Sequence, residues 1–441
     1  MSAAGLGFAL LLVAFASSTF AQSRPDQFRP GRPVIYSNPY SKDSLEDPIT
    51  KLQANLQQDA MHFEFDPKFG YLPSLLKSLG VNPDSQLLVF SKTSLQHELI
   101  SPETPRAIYF GDNISIGYVQ NSDKLEIASV DPRQGTIFYI LPNTPSAAPK
   151  FERREDCLQC YQGPGFSFVA GAGMLSTYAD SNGYPLVGVG GAGLQEEGAF
   201  TDHRSKFEDR WGGWYVSGTH GSARHMGNAR ATDPARPADL EQEGTQNLTD
   251  LSGRFDVSRY LVPTSDIVAL MTMEHQAHLT NLLTRLGWQA RASSFTLANP
   301  DQQQRLKASV EEMAEYMLFA AEDPIREPIR GVSSFTKTFP QQGPRDSQGR
   351  SLRDFDLDKR LFRYPLSYMI YSDQFDALPS TALELVYQRL FEVLTNQDRS
   401  PRFAGLSAAN RQAALEILRE TKPGLPQYWK GGVSQAANNE R

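Results

Sequence analysis

The chain has 441 residues, with 43 Lys and Arg against 50 Asp and Glu, a net charge of −7. No global positive field is available to hold a phosphate backbone, which argues against a dedicated nucleic-acid binder. A mean hydropathy of −0.43 argues against an integral membrane protein. The length accommodates two or three domains, or one large domain with insertions.

At the N-terminus, Leu6 to Phe15 is an almost unbroken apolar run, and small residues occupy the −3 and −1 positions of a cut after Ala21. The run is too short to span a bilayer stably and matches a secretory signal peptide, although no Lys or Arg precedes it. No later stretch is apolar enough for a membrane helix, so the expectation is a periplasmic or secreted protein with no span after cleavage. Residues 22–50 are rich in Pro, Ser, Asp and Asn without periodicity and read as a poorly ordered leader.

A short helix is expected over Leu72 to Leu79, opened by Pro73 and stopped by Gly80. Between 86 and 141, five β-branched or aromatic runs (86–91, 106–110, 114–119, 125–130 and 136–141) are separated by turn residues such as Gly111-Asp-Asn113. They predict an antiparallel β unit. Further on, Ile267 to Leu286 reads as a helix with Thr264 or Ser265 as N-cap and Gly287 as its stop. Helices are also expected over 301–321, 380–396 and 407–421. The fold class is α+β: a β unit over 51–150, an irregular Gly/Trp/His-rich region over 151–295 and a helical part over 296–441. Gly188-Val-Gly190-Gly-Ala-Gly193 matches the dinucleotide fingerprint only nominally, because Gln195-Glu-Glu-Gly198 follows instead of an amphipathic helix. It reads as a loop.

Five of the seven histidines lie between 203 and 278: His203, His220, His225, His275 and His278. Imidazole is the commonest metal ligand and the side chain best suited to proton transfer near neutral pH. On the 267–286 helix, Glu274 and His278 fall one turn apart inside an apolar stripe, with His275 at its edge. Burying such a pair without partners costs several kcal/mol, so the two face each other, a metal or a cofactor. With His220 they are the candidate catalytic groups. A satisfied structural Glu–His pair is the alternative. Around Arg210-Trp-Gly-Gly-Trp-Tyr215 and His225-Met-Gly-Asn228, glycines allow close approach while Trp211 and Trp214 supply flat walls, which suits a ligand pocket or a tightly packed irregular core.

The two cysteines of the chain form Cys157-Leu-Gln-Cys160-Tyr161, close to the C-x-x-C-H signature of c-type haem attachment. Together with Thr201-Asp-His203, Arg210-Trp-Gly-Gly-Trp-Tyr-Val-Ser-Gly-Thr-His-Gly221, His225-Met-Gly-Asn228 and Glu274-His-Gln-Ala-His278, this text resembles a family of exported bacterial proteins described as cytochrome c domain-containing. The likeness extends to Leu88-Val-Phe-Ser-Lys-Thr-Ser-Leu95, Arg350-Ser-Leu-Arg-Asp-Phe-Asp-Leu357 and Arg363-Tyr-Pro365. It implies a periplasmic redox protein carrying haem c on Cys157 and Cys160, with a periplasmic electron-transfer partner or a small-molecule substrate. Tyr161 stands where the family has histidine, which leaves three arrangements open. Tyr161 itself would lie on the proximal side, or His203, His220 or His225 would supply the proximal ligand; in either, Met226 is a candidate axial thioether. In the third, the cysteines form a disulfide in a haem-free descendant. The non-haem alternative is a metal site for iron, copper or zinc among His203, His220, His225, His275 and His278 with Glu274. A ligand-binding or scaffold protein without a redox centre is the other.

Overall fold

The computed structural model describes residues 37–58, 60–292 and 299–430. The expected signal peptide and most of the leader lie outside the described residues. The described residues belong to one compact unit, and its architecture is α+β.

The leader ends earlier than its composition suggests. Tyr40 and Asp47 are buried, and helix α1 (Pro48–Gln57) starts at Pro48 with Asp47 as its cap. The Asp47 carboxylate accepts from Ile49 N at 3.1 Å, Thr50 Oγ1 at 2.6 Å and the Tyr139 hydroxyl at 3.0 Å. One side chain thus satisfies the helix start and ties it to the sheet, a contact that local composition does not show. Helix α2 (Leu72–Ser78) follows with Leu72, Leu75 and Leu76 buried.

All five expected strands form. They are β1 (Leu87–Val89), β2 (Arg106–Gly111), β3 (Ile114–Tyr118), β4 (Lys124–Asp131) and β5 (Gly135–Pro142). The short β6 (Glu152–Arg153) extends one edge. Helix α3 (Leu158–Tyr161) carries the cysteines, and the chain then makes the small pairs β7 (Met174–Leu175) with β10 (Phe200–Thr201) and β8 (Thr177–Ala179) with β9 (Pro185–Gly188). The nominal fingerprint follows β9 as a tight turn with Gly190 and Gly191 at positive φ, so the loop reading agrees with what forms. Strand β11 (Trp214–Tyr215) returns to the large sheet beside β1, giving the antiparallel order β11-β1-β2-β3-β4-β5-β6.

Side chains alternate between the two faces of this sheet. Leu88, Tyr109, Ile116, Ile127 and Tyr139 pack with α1, α2 and the 251–260 loop. On the opposite face Leu87, Val89 and Phe110 meet α4 (Ile267–Arg291) and the helices behind it. Those are α5 (Pro300–Met317), the one-turn helices α6 (Phe335–Thr338) and α7 (Asp373–Asp376), α8 (Ser380–Leu394) and α9 (Ala408–Thr421). Among the described residues, no helix is long and apolar enough to cross a membrane.

Helix α4 departs from expectation at both ends. Its cap is Asp266, whose carboxylate accepts from Val268 N at 2.8 Å; Ser265 instead donates its hydroxyl to Tyr215 O and accepts from Leu88 N. Gly287 does not stop it. The next residue, Trp288, is 1 % exposed, packs with Tyr40, Val169 and Ala170, and donates its indole N–H to Arg133 O at 3.0 Å. Burial of that ring outweighs the roughly 1 kcal/mol helix penalty of one glycine. Replacing Trp288 with Ala is therefore expected to lower unfolding free energy by about 3–5 kcal/mol in urea titrations. A loss below about 1 kcal/mol would show that the last turn of α4 does not depend on it.

Candidate functional site

The central helix α4 is unusual in what it hides. Glu274 and His275 are fully buried, and His278 retains 16 % side-chain exposure at a cleft wall. Their partners come from the segment 201–210, which β10 positions by pairing Thr201 with Met174 of β7.

Thr201 Oγ1 donates to Glu274 Oε1 at 2.7 Å, and Arg210 Nη1 approaches Glu274 Oε2 at 3.4 Å. Arg210 also donates to the His203 and Ser205 carbonyls at 2.7–3.0 Å, so a buried guanidinium closes the loop around the carboxyl. Burial pushes the Glu274 carboxyl up to about 7, against the opposing pull of Arg210 and Thr201.

One turn on, His278 meets Asp202 and Arg204. Its Nδ1 faces Asp202 Oδ2 at 3.7 Å, and Arg204 Nη2 donates to its Nε2 at 3.0 Å. That donation makes Nε2 the acceptor and leaves the proton on Nδ1, towards the carboxylate. Burial pushes the imidazole down to about 4, opposed by Asp202. Burial would raise Asp202, but the Arg204 guanidinium, bonded to it at 2.6 Å, outweighs that and holds the carboxyl far below its usual range. Arg204 lies over the Tyr316 ring, 4.9 Å from its centroid, which fixes the guanidinium from the α5 side.

Beneath these groups, His203 Nδ1 and His275 Nδ1 are 2.9 Å apart, and His275 Nε2 is 2.7 Å from Ser367 Oγ. Tyr316 and Phe319 flank both rings. His203 Nε2 is buried without a partner. Burial lowers both imidazoles, His275 to about 3, so this pair is uncharged at neutral pH.

A cleft of about 250 Å³ opens over Asp202, Arg204, His278 and Asn281, between Phe200 and the 172–174 segment. Asn281 builds that wall. Its amide accepts from Ala172 N at 3.1 Å and donates to Ala172 O at 2.8 Å. Gly171 permits the approach, since a Cβ there would stand 2.2 Å from Asn281 Oδ1. The cleft is therefore a polar cup with one imidazole–carboxylate pair, one guanidinium and the exposed Glu197 carboxylate on its surface.

The sequence-predicted residues thus divide. Glu274 and His278 share a helix face as expected, but each is met by a side chain of the 201–210 segment, and not by the other. His203 and His275 join them. His220 and His225 form a separate cluster, their centroids 4.7 Å apart, against Phe207 and Trp211. Burial lowers both, His225 to about 3. Trp214 donates its indole N–H to Leu175 O, and Met226 Sδ accepts from Ser176 Oγ. Among the described residues, no three His, Cys, Asp or Glu side chains converge in a way that could hold a metal ion. Asp202, Arg204, Arg210 and Tyr316 were missed as site residues. For the first three, the signal was charge packed into a histidine- and tryptophan-rich run.

The surroundings of Tyr161 do not fit a proximal iron ligand. Tyr161 is wedged between Phe138 and Phe166, at centroid distances of 4.9 and 5.5 Å. Burial raises its hydroxyl, opposed by the Arg106 guanidinium beside it, and Arg106 is itself bound to Glu126 at 2.8 Å. A tyrosinate for iron would require breaking this set. Burial likewise keeps the Cys157 thiol protonated; Cys160 is exposed and the two sulfurs are unbridged.

No protein-family model, curated protein or solved structure matches the chain.

The buried carboxyl gives a signed pH prediction. The folded state keeps the Glu274 proton up to about pH 7, whereas the unfolded chain releases it near 4.5. Its contribution is thus fully present below about pH 4.5 and is lost as pH rises through 7. Glu274→Gln keeps a donor and an acceptor for Thr201 and Arg210 without the titration. Between pH 5 and 8 the variant should gain on the wild type by about 1–3 kcal/mol in urea unfolding. Parallel profiles would show that Glu274 is ionised throughout.

Proposed function

We propose that this chain is an exported protein of the cytochrome c domain-containing kind whose working site is the Asp202–Arg204–His278 cleft, where it binds a small polar molecule without haem. The observation that carries this reading is the neutral His278 imidazole held at a cleft wall between a carboxylate and a guanidinium. A ligand that draws Arg204 towards itself frees Nε2 as a proton acceptor, while Asp202 stabilises the imidazolium that forms. Glu274, protonated beneath the cleft below pH 7, adds no negative charge to those of Asp202 and the exposed Glu197. The site therefore suits a ligand with an acidic proton and a negatively charged or strongly polar group to engage Arg204. Catalysis at this site would be proton transfer, with His278 as base.

A second reading follows from the cysteine turn. Cys160 is exposed and both thiols are free on one helical turn, which keeps them open to thioether formation and to electron transfer through haem. The spectrum of protein exported in cells competent for cytochrome c maturation separates the two. The cleft reading predicts no covalent haem band after denaturation; a haemochrome band lost in the Cys157→Ala, Cys160→Ala double variant would establish the redox reading instead.

A screen of small polar acids by thermal shift tests the cleft directly. Compounds that stabilise the wild type should lose the effect in His278→Ala and in Arg204→Gln, with the apparent affinity falling about tenfold or more. Equal shifts in wild type and both variants would place binding elsewhere.

A further inference from the structure

A second concave site lies on the far side of β11, away from the residues discussed above. Its volume is about 170 Å³, and Phe90, Pro102, Glu103, Tyr215, Arg230 and Arg254 line it. Its floor is aromatic and fixed. Tyr215 packs against Phe90 and Phe255, both at 4.9 Å between centroids, and its hydroxyl donates to Pro102 O at 2.7 Å. Its wall is equally built. Asn228, with φ of +66°, accepts from Val216 N at 2.8 Å and donates to the Val216 and Thr245 carbonyls, both at 2.9 Å. Two residues on, Arg230 is held by its own carbonyl, which accepts from Glu241 N at 3.0 Å.

This cup holds two guanidinium groups without an ion-pair partner. Several guanidinium groups elsewhere meet carboxylates: Arg204 with Asp202, Arg210 with Glu274, Arg389 with Glu311 and Asp398. Among the described residues, neither Arg230 nor Arg254 has a carboxylate within ion-pairing distance, and the one side-chain hydrogen bond of the two runs from Arg254 to the Gly244 carbonyl. Both guanidinium groups act on the Tyr215 hydroxyl, with Glu103 opposing them, so two positive charges and one negative share the cup. Glu103 sits at the exposed rim, where its carboxylate accepts from Ser101 Oγ at 2.9 Å. With Glu103 the cup keeps one net positive charge, which a bound oxyanion would offset.

The geometry points to a second ligand site at Arg230 and Arg254 for a small oxyanion, carboxylate or phosphate. Guanidinium forks match the oxygen pairs of both groups. This site is independent of the His278 cleft.

Titration of the full chain with inorganic phosphate and, separately, benzoate at constant ionic strength, read by thermal shift against chloride, tests it. At least one anion should give a saturable stabilisation. Phosphate alone would assign a phosphate head, and benzoate alone a carboxylate. Arg230→Gln and Arg254→Gln should each weaken that response about tenfold or more, with Arg230→Lys intermediate. Arg236→Gln, at an exposed arginine paired with Asp233 and Asp239, should leave it unchanged. A response without saturation for both anions, or equal affinity in wild type and the two Arg→Gln variants, would overturn the site.

Discussion

The structure depends on how α4 buries its polar residues. A helix packed between a β-sheet and a helical layer would ordinarily present only apolar side chains, yet this one carries a carboxyl and an imidazole into its core and a second imidazole to a cleft wall. Each is tolerable because burial favours its uncharged form and it has a partner: Thr201 and Arg210 for Glu274, His203 and Ser367 for His275, Asp202 and Arg204 for His278. Removing a partner would strand a buried donor or acceptor, which costs about 1–3 kcal/mol per group. The 201–210 segment is irregular because it must supply these partners at fixed positions along the helix.

This arrangement couples fold and site. The residues that satisfy α4 also line the cleft, so the polar groups available to a ligand are already held in place before it arrives. Asn281 extends the same logic to the backbone by clamping Ala172 with both ends of its amide. Preorganisation of this kind lowers the ordering cost of binding. It also restricts the cleft to ligands that can replace the Arg204–His278 hydrogen bond with one at least as good.

Local pattern accounts for much of the architecture. The five strand runs and the helices over 301–321, 380–396 and 407–421 follow from period and punctuation, because their buried faces repeat at the spacing of the element. The failures have one physical cause. Asp47 anchoring α1, Trp288 carrying α4 past Gly287, and Asp266 capping in place of Ser265 all rest on contacts with residues far along the chain. In the site, the helical spacing of Glu274 and His278 was legible, and so was the need for partners. Which side chains would meet them was not, since Thr201, Asp202 and Arg204 lie more than seventy positions away. The packing of Tyr161 between Phe138 and Phe166 is invisible in the cysteine motif for the same reason.

The central claim is that His278 stands neutral in the cleft with its proton on Nδ1 and its Nε2 accepting from Arg204. Nitrogen-15 NMR of histidine-labelled protein, assigned by comparison with His278→Ala, measures this directly. The account predicts a neutral ring at pH 7 with Nδ1 protonated, and titration only as pH falls towards about 4. A His278 ring that is protonated at pH 7, or that is neutral with its proton on Nε2, would contradict it.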